Sequence, residues 1–141
     1  MRVLVLVKAT AESERGELPS EELLVEMGNF NEALLDAGVL LAGEGLRPTY
    51  DGKRVVFDGA ERSVIDGPFA GPTNQVAGFW IWQVKDMDEA LEWVKRCPNP
   101  MPGRSEIEIR PLYELSDFGN EIPKQVADQE RRQRERLAER K

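Results

Sequence analysis

Asp66 stands where an apolar pair, Val64-Ile65, runs into Gly67-Pro68-Phe69, and the chain becomes strongly apolar again from Val76 to Val84. A carboxylate at a strand end, beside a glycine, is placed to act as a general base or to fix a ligand. The same four residues also read as a turn. Aspartate accepts backbone N–H groups from the residues after it, Gly67 frees the backbone and Pro68 fixes the bend. Arg110 is the natural partner for catalysis with Asp66. It lies in Glu106-Ile107-Glu108-Ile109-Arg110, where alternation puts Glu106, Glu108 and Arg110 on one polar face. A guanidinium there pairs with Asp66, or grips a carboxylate or phosphate through two N–H groups. The plainer reading is a solvated strand face or a structural ion pair.

Other residues could line the same cleft. Glu44 sits between Gly43 and Gly45, which allow close backbone approach but equally suit a bulge or turn. Lys8 ends the first apolar run. Trp80 and Trp82 offer flat rings for a ligand, or serve as core or subunit interface. The expected ligand contacts are therefore Glu44, Gly67, Pro68, Phe69, Trp80 and Glu108. Cys97, just before Pro98, reads as a buried helix-end thiol.

What is missing narrows the chemistry further. The 141 residues include no histidine and one cysteine. That removes Ser-His-Asp and Cys-His mechanisms, the usual zinc and non-haem iron ligand sets, and any internal disulfide. "GEGLRP" and "DGPFAGP" lack the strand, glycine-rich loop and helix that nucleotide loops need. No metal and no cofactor is expected. Net charge is −7. Residues 123–141 carry seven Lys/Arg against four Asp/Glu, and the other 122 residues twelve against twenty-two, giving +3 and −10. An acidic body is repelled by phosphate backbones, so nucleic acid is not an expected partner. The longest apolar run, Val3 to Val7, is far short of the roughly 20 residues of a membrane span. The N-terminus reads as a strand rather than a signal peptide, and a cytoplasmic location is expected.

These side chains must be positioned by a single domain, for which a 40% hydrophobic content is sufficient. Arg2 to Lys8 predicts a central strand, apolar on both faces. "TAESERGELP" reads as a loop. Ser20 caps a predicted helix with Leu23, Met27, Phe30 and Leu34 at helical spacing, and Gly38 stops it. "VLLAGEGL" is a short strand, and "PTYDGK" predicts a hairpin turn. "RVVFDGAERSVI" holds two short strands around Asp58-Gly59. "VAGFWIWQV" is a strong strand, with Phe79 and Ile81 on one face and Trp80, Trp82 and Val84 on the other. "KDMDEALEWVKRCP" is a second helix, capped by Asp86 or Asp88 and ended by Pro98. "SEIEIRPLYEL" is the last strand. This order predicts an α+β, ferredoxin-like βαββαβ fold over residues 1–119. Two helices cover one sheet face. The other face, carrying Trp80 and Trp82 or their neighbours, needs a second copy of the sheet or the C-terminal segment. The former gives a homodimer with a dimeric α/β-barrel. Residues 120–141 form a polar, charged helix or tail, with Glu130–Arg134 and Arg131–Glu135 as i, i+4 pairs. It is either solvated or an arm toward a partner subunit.

"DAGVLLAGEGLRP", "VIDGPFAGPTNQVAGFWIWQV", "DMDEALEWVKRCP" and "EIEIRPLYELSDFG" together resemble the YCII-related, or DGPF-domain, family over residues 1 to about 119. The resemblance implies the ferredoxin-like dimeric α+β barrel. In one branch it implies a His–Asp active site, whose aspartate maps to Asp66 and whose histidine has no counterpart here. Many members read Ala-Glu-Thr-Lys-Glu after the motif, where this chain has the neutral Ala70-Gly71-Pro72-Thr73-Asn74-Gln75. Members encoded beside sigma factors imply a stress-response setting. Three functions are therefore expected. The leading one is binding of an unidentified small molecule in a cleft near the DGPF loop. The second is a lyase or hydrolase of small metabolites with Asp66 as base and Arg110 as anion anchor. The third is a regulatory interaction protein whose basic C-terminal arm contacts an acidic partner.

Overall fold

The structure, a computed structural model, describes residues 1–119 and 121–140. Asn120 and Lys141, both in the expected C-terminal segment, lie outside the described residues. The chain forms two compact units, Met1–Pro111 and Leu112–Lys141. The first contains β1 (Arg2–Lys8), α1 (Ala11–Glu14), α2 (Glu21–Asp36), β2 (Leu40–Gly45), β3 (Lys53–Asp58), β4 (Glu61–Asp66), β5 (Val76–Gln83), α3 (Met87–Arg96) and β6 (Ile107–Pro111). The second contains α4 (Lys124–Glu139).

Four strands form an antiparallel sheet in the order β2-β5-β1-β6, and β3 and β4 form a separate hairpin. With α2 following β1 and α3 following β5, this order is compatible with a ferredoxin-like α+β core. Val5 sits at the centre, opposite Trp80 on β5 and Ile109 on β6. Val3, Val5 and Val7 point to the face on which Phe30 and Leu34 of α2 and Ala90 of α3 pack. Trp82, Leu34, Val3 and Val5 are fully buried there. Each such side chain contributes about 1.5–3 kcal/mol by leaving water. The rings of Phe30 and Trp80 meet edge to face at 6.0 Å. Trp82 buries its indole N–H with no hydrogen-bond partner among the described residues.

Helix ends follow from local chemistry. Ser20 Oγ accepts the Leu23 N–H at 3.1 Å and Asp86 Oδ1 the Glu89 N–H at 2.9 Å, each satisfying a free first-turn donor. Gly38 closes α2 in the left-handed region at φ 72°.

One open reading is decided and three expectations are corrected. The tryptophans belong to the helix-covered face; strand alternation puts Leu4, Leu6, Phe79 and Ile81 on the opposite one. Both faces being apolar, periodicity could not choose between them. "TAESERGELP" is not all loop. Thr10 starts α1 through a capping box, its hydroxyl accepting the Ser13 N–H while Ser13 Oγ accepts the Thr10 N–H. "PTYDGK" is not a hairpin turn, because β2 pairs with β5 rather than β3. Thr49–Asp51 form one 3-10 turn, and Gly52 is extended at φ −106°. The Asp-Gly hairpin is at Asp58-Gly59, where Gly59 supplies the positive φ of 59° that a tight turn needs. In α4, Glu130 pairs with Arg134 at 2.9 Å as expected, whereas Arg131 pairs with Asp128.

Candidate functional site

The residues expected to act together are distributed over three places. Asp66 ends β4, directly opposite Lys53 on β3, and Lys53 Nζ lies 2.5 Å from Asp66 Oδ1. Both side chains are about 70% exposed, at 68% and 73%. Asp66 accepts no backbone N–H among the described residues, so the Asx-turn reading does not hold either. Arg110 is on β6 in the other sheet, opposite Leu4, and its nearest carboxylate is Glu108 at 4.0 Å. The structure therefore does not join Asp66 to Arg110. Lys8 pairs across the sheet with Val76 at the end of β1.

The Gly67-Pro68-Phe69 loop is held by contacts that the sequence did not announce. The Gly67 N–H donates to the Gly52 carbonyl at 2.9 Å. The Phe69 N–H donates to Thr49 Oγ1 at 3.1 Å. Thr49 is held in turn by Glu14 of α1, whose carboxylate accepts the Thr49 N–H at 3.1 Å and the Thr49 hydroxyl at 2.5 Å. The Gly67–Pro68 peptide is cis. Arg54 lays its guanidinium 3.8 Å over the Phe69 ring and donates to Gln75 Oε1 at 3.1 Å. Gln75 is buried, and its amide donates to the Ala70 carbonyl at 3.1 Å. The neutral residues after the motif thus supply a structural anchor, a role for Gln75 that its type alone did not signal.

This loop seats on the turn around Thr49, and the other side of that turn faces a groove. The groove encloses about 1190 Å³ and runs between α2, the α1–α2 connection, β2 and β5. Its apolar lining includes Val7, Leu23, Met27, Leu40, Ala77 and Trp80. Trp80 lies against Gly43 on β2, where a Cβ would come within 2.6 Å of the indole. The glycine before Glu44 thus makes room for the ring. Trp80 Nε1 donates to Asn31 Oδ1 at 3.0 Å, which fixes both. At the far side, the hydroxyl of Tyr50 stands over Gly16, which has φ 83° and no side chain to obstruct it. Arg47, Pro48, Tyr50 and Asp51 form the wall that the DGPF loop supports from behind.

Of the expected ligand contacts, Glu44 and Trp80 line this groove; Gly67, Pro68, Phe69 and Glu108 are not in its lining. The contributions missed from the sequence come from α2 and the segment before it. Leu23 and Met27 read only as apolar residues at helical spacing, and Asn31, an amide one turn beyond Met27, has no distinctive pattern.

Cys97 lies at the end of α3 beside a smaller recess of about 270 Å³, lined also by Val94, Pro98 and Ile107. Burial pushes its thiol up to about 11. No group of three or more Cys, Asp or Glu able to hold a metal occurs among the described residues. None of their helices is long and apolar enough to cross a membrane.

Comparison with known proteins adds two findings. The family model described as the YCII-related domain matches residues 1–116. An uncharacterized protein of Rhizobium meliloti (strain 1021) is 29% identical over 92 residues, covering 65% of this chain and 74% of that protein.

Proposed function

From the premise that the chain belongs to the YCII-related domain family, we propose that it is a small-molecule-binding protein whose site is the groove between α2, β2 and β5. The observation that carries this is the groove itself: about 1190 Å³, an apolar floor built around Trp80, and polar groups at Asn31, held by Trp80, and at Tyr50. Ligand sites are mostly apolar concavities with a few placed polar groups, of roughly 300–1,000 Å³. The DGPF loop acts at one remove, by holding the Thr49 turn that forms one wall. Pairing of Asp66 with Lys53, away from Arg110, favours this reading over one with Asp66 as a base.

A homodimer is part of the proposal. Leu4, Leu6, Phe79 and Ile81 lie on the sheet face opposite α2 and α3, and a second copy of that face is a fitting cover. A cytoplasmic location is proposed with it.

The test is saturable binding of the neutral fluorophore N-phenyl-1-naphthylamine, with native mass spectrometry of the purified protein. One probe per chain, with quenching of tryptophan emission, is expected, and Leu23→Trp should block it. Absence of saturable binding together with absence of any retained non-protein mass would overturn the reading.

A further inference from the structure

We propose that the groove selects ligands that are cationic at one end and apolar along the rest, alkyl- or arylammonium compounds rather than carboxylates or phosphates. This rests on the reading of the groove as the binding site. Its apolar floor alone would take any greasy molecule; the charge around it is what chooses. Among the described residues, Glu12, Glu17, Glu22, Glu26, Glu44 and Asp51 all line the groove, against the single cation Arg47. That arginine is already engaged, 3.3 Å from Asp51, and Glu17 is held by Arg15 outside the groove at 2.6 Å. The carboxylates of Glu22, Glu26 and Glu44 have no ion-pair or hydrogen-bond partner among the described residues.

Glu22 and Glu26 lie one turn apart on α2, an i, i+4 spacing at which like charges repel. Leu23 and Met27 alternate with them along the same helix, so α2 presents acid and apolar groups to the groove together. A concave surface with one sign of charge over a low-dielectric floor concentrates the opposite charge and repels its own. An ammonium group placed among these carboxylates relieves their repulsion while its hydrocarbon covers Leu23, Met27 and Trp80. A carboxylate or phosphate there finds no unengaged cation among the described residues.

The experiment uses three probes with the same eight-carbon chain: octyltrimethylammonium, octanol and octanoate. Binding is read by tryptophan fluorescence and calorimetry on the full chain. Octyltrimethylammonium is expected to bind at least about ten-fold more tightly than octanoate, with octanol between them. The preference should shrink several-fold at high salt, where exposed charges are screened. Glu22→Gln with Glu26→Gln should weaken the cation several-fold more than it changes octanol binding. Glu22→Lys with Glu26→Lys should reverse the order. Equal binding of all three probes would overturn the cation preference and leave the groove reading standing. Binding of none would overturn both.

Discussion

The carbonyl oxygen of Thr49 occupies the space that a side chain on Gly67 would need: a Cβ there would lie 1.6 Å from it. No rotamer relieves such a contact, because both groups are backbone. Gly67→Ala is therefore expected to destabilise the protein by more than about 3 kcal/mol, or to expel the loop. Gly59→Ala, strained only by its positive φ of 59° in an exposed turn, should cost about 1 kcal/mol. Urea unfolding of the two variants checks the difference; comparable losses would contradict the close approach.

Glu14 is the other half of that seat. Glu14→Ala leaves the Thr49 N–H and hydroxyl without their acceptor, and should cost about 1–2 kcal/mol. Thr49→Ser, which keeps the hydroxyl that Phe69 and Glu14 use, should cost less than Thr49→Val. A reversed order in chemical denaturation would show that the methyl group, not the hydroxyl, matters.

Asp66 provides a contrast. Its ion pair with Lys53 is exposed, and such pairs contribute about 0–1 kcal/mol. Asp66→Asn should change stability by no more than that and leave probe binding in the groove within two-fold, roughly the scatter expected of a surface substitution. A ten-fold loss of binding would restore the aspartate to the site.

Cys97 titrates late because burial disfavours its thiolate. Its folded pKa, about 11, lies above the usual 9.0. The associated stability is thus fully present below pH 9 and is lost as pH rises from 9 through about 11. Alkylation of the folded protein should be slow at pH 8 and still accelerating above pH 9, and Cys97→Ser should flatten the alkaline fall in stability. A rate that levels off below pH 9 would refute this.

Light scattering should give a mass near twice the chain's 15.9 kDa. Ile81→Lys should return it to the chain mass while preserving the circular dichroism spectrum. A monomeric wild type would remove the dimer.

Much of this architecture could be read before any coordinates. Helix signals were strong because Ser20, Gly38, Asp86 and Pro98 act locally, through caps and stops. The strands were legible from runs such as Val3 to Val7. What failed was whatever depended on partners far along the chain. Nothing in Thr10 to Gly16 revealed that Glu14 would clamp Thr49, 35 positions away. Asp51-Gly52 and Asp58-Gly59 look alike as dipeptides, and only strand pairing separates the hairpin from the 3-10 turn. Trp80 reads as ligand stacker, core or interface; it is buried in the core, and its setting depends on Gly43 and Asn31, contributed by two other elements.

The rung at which Leu46 donates to the Ala77 carbonyl at 2.8 Å, next to the paired Gly45 and Gly78, closes the sheet beneath everything inserted between them. The hairpin, the DGPF loop and the groove wall at Arg47 to Asp51 all hang from that rung. Lengthening or recasting the insertion leaves the β2–β5 register untouched, so one wall of the groove is free to diverge while the framework beneath, and the carboxylates of α2, stay constant. Transplanting residues 47–76 from one relative into another should reshape that wall while the charge preference set by Glu22 and Glu26 stays with α2.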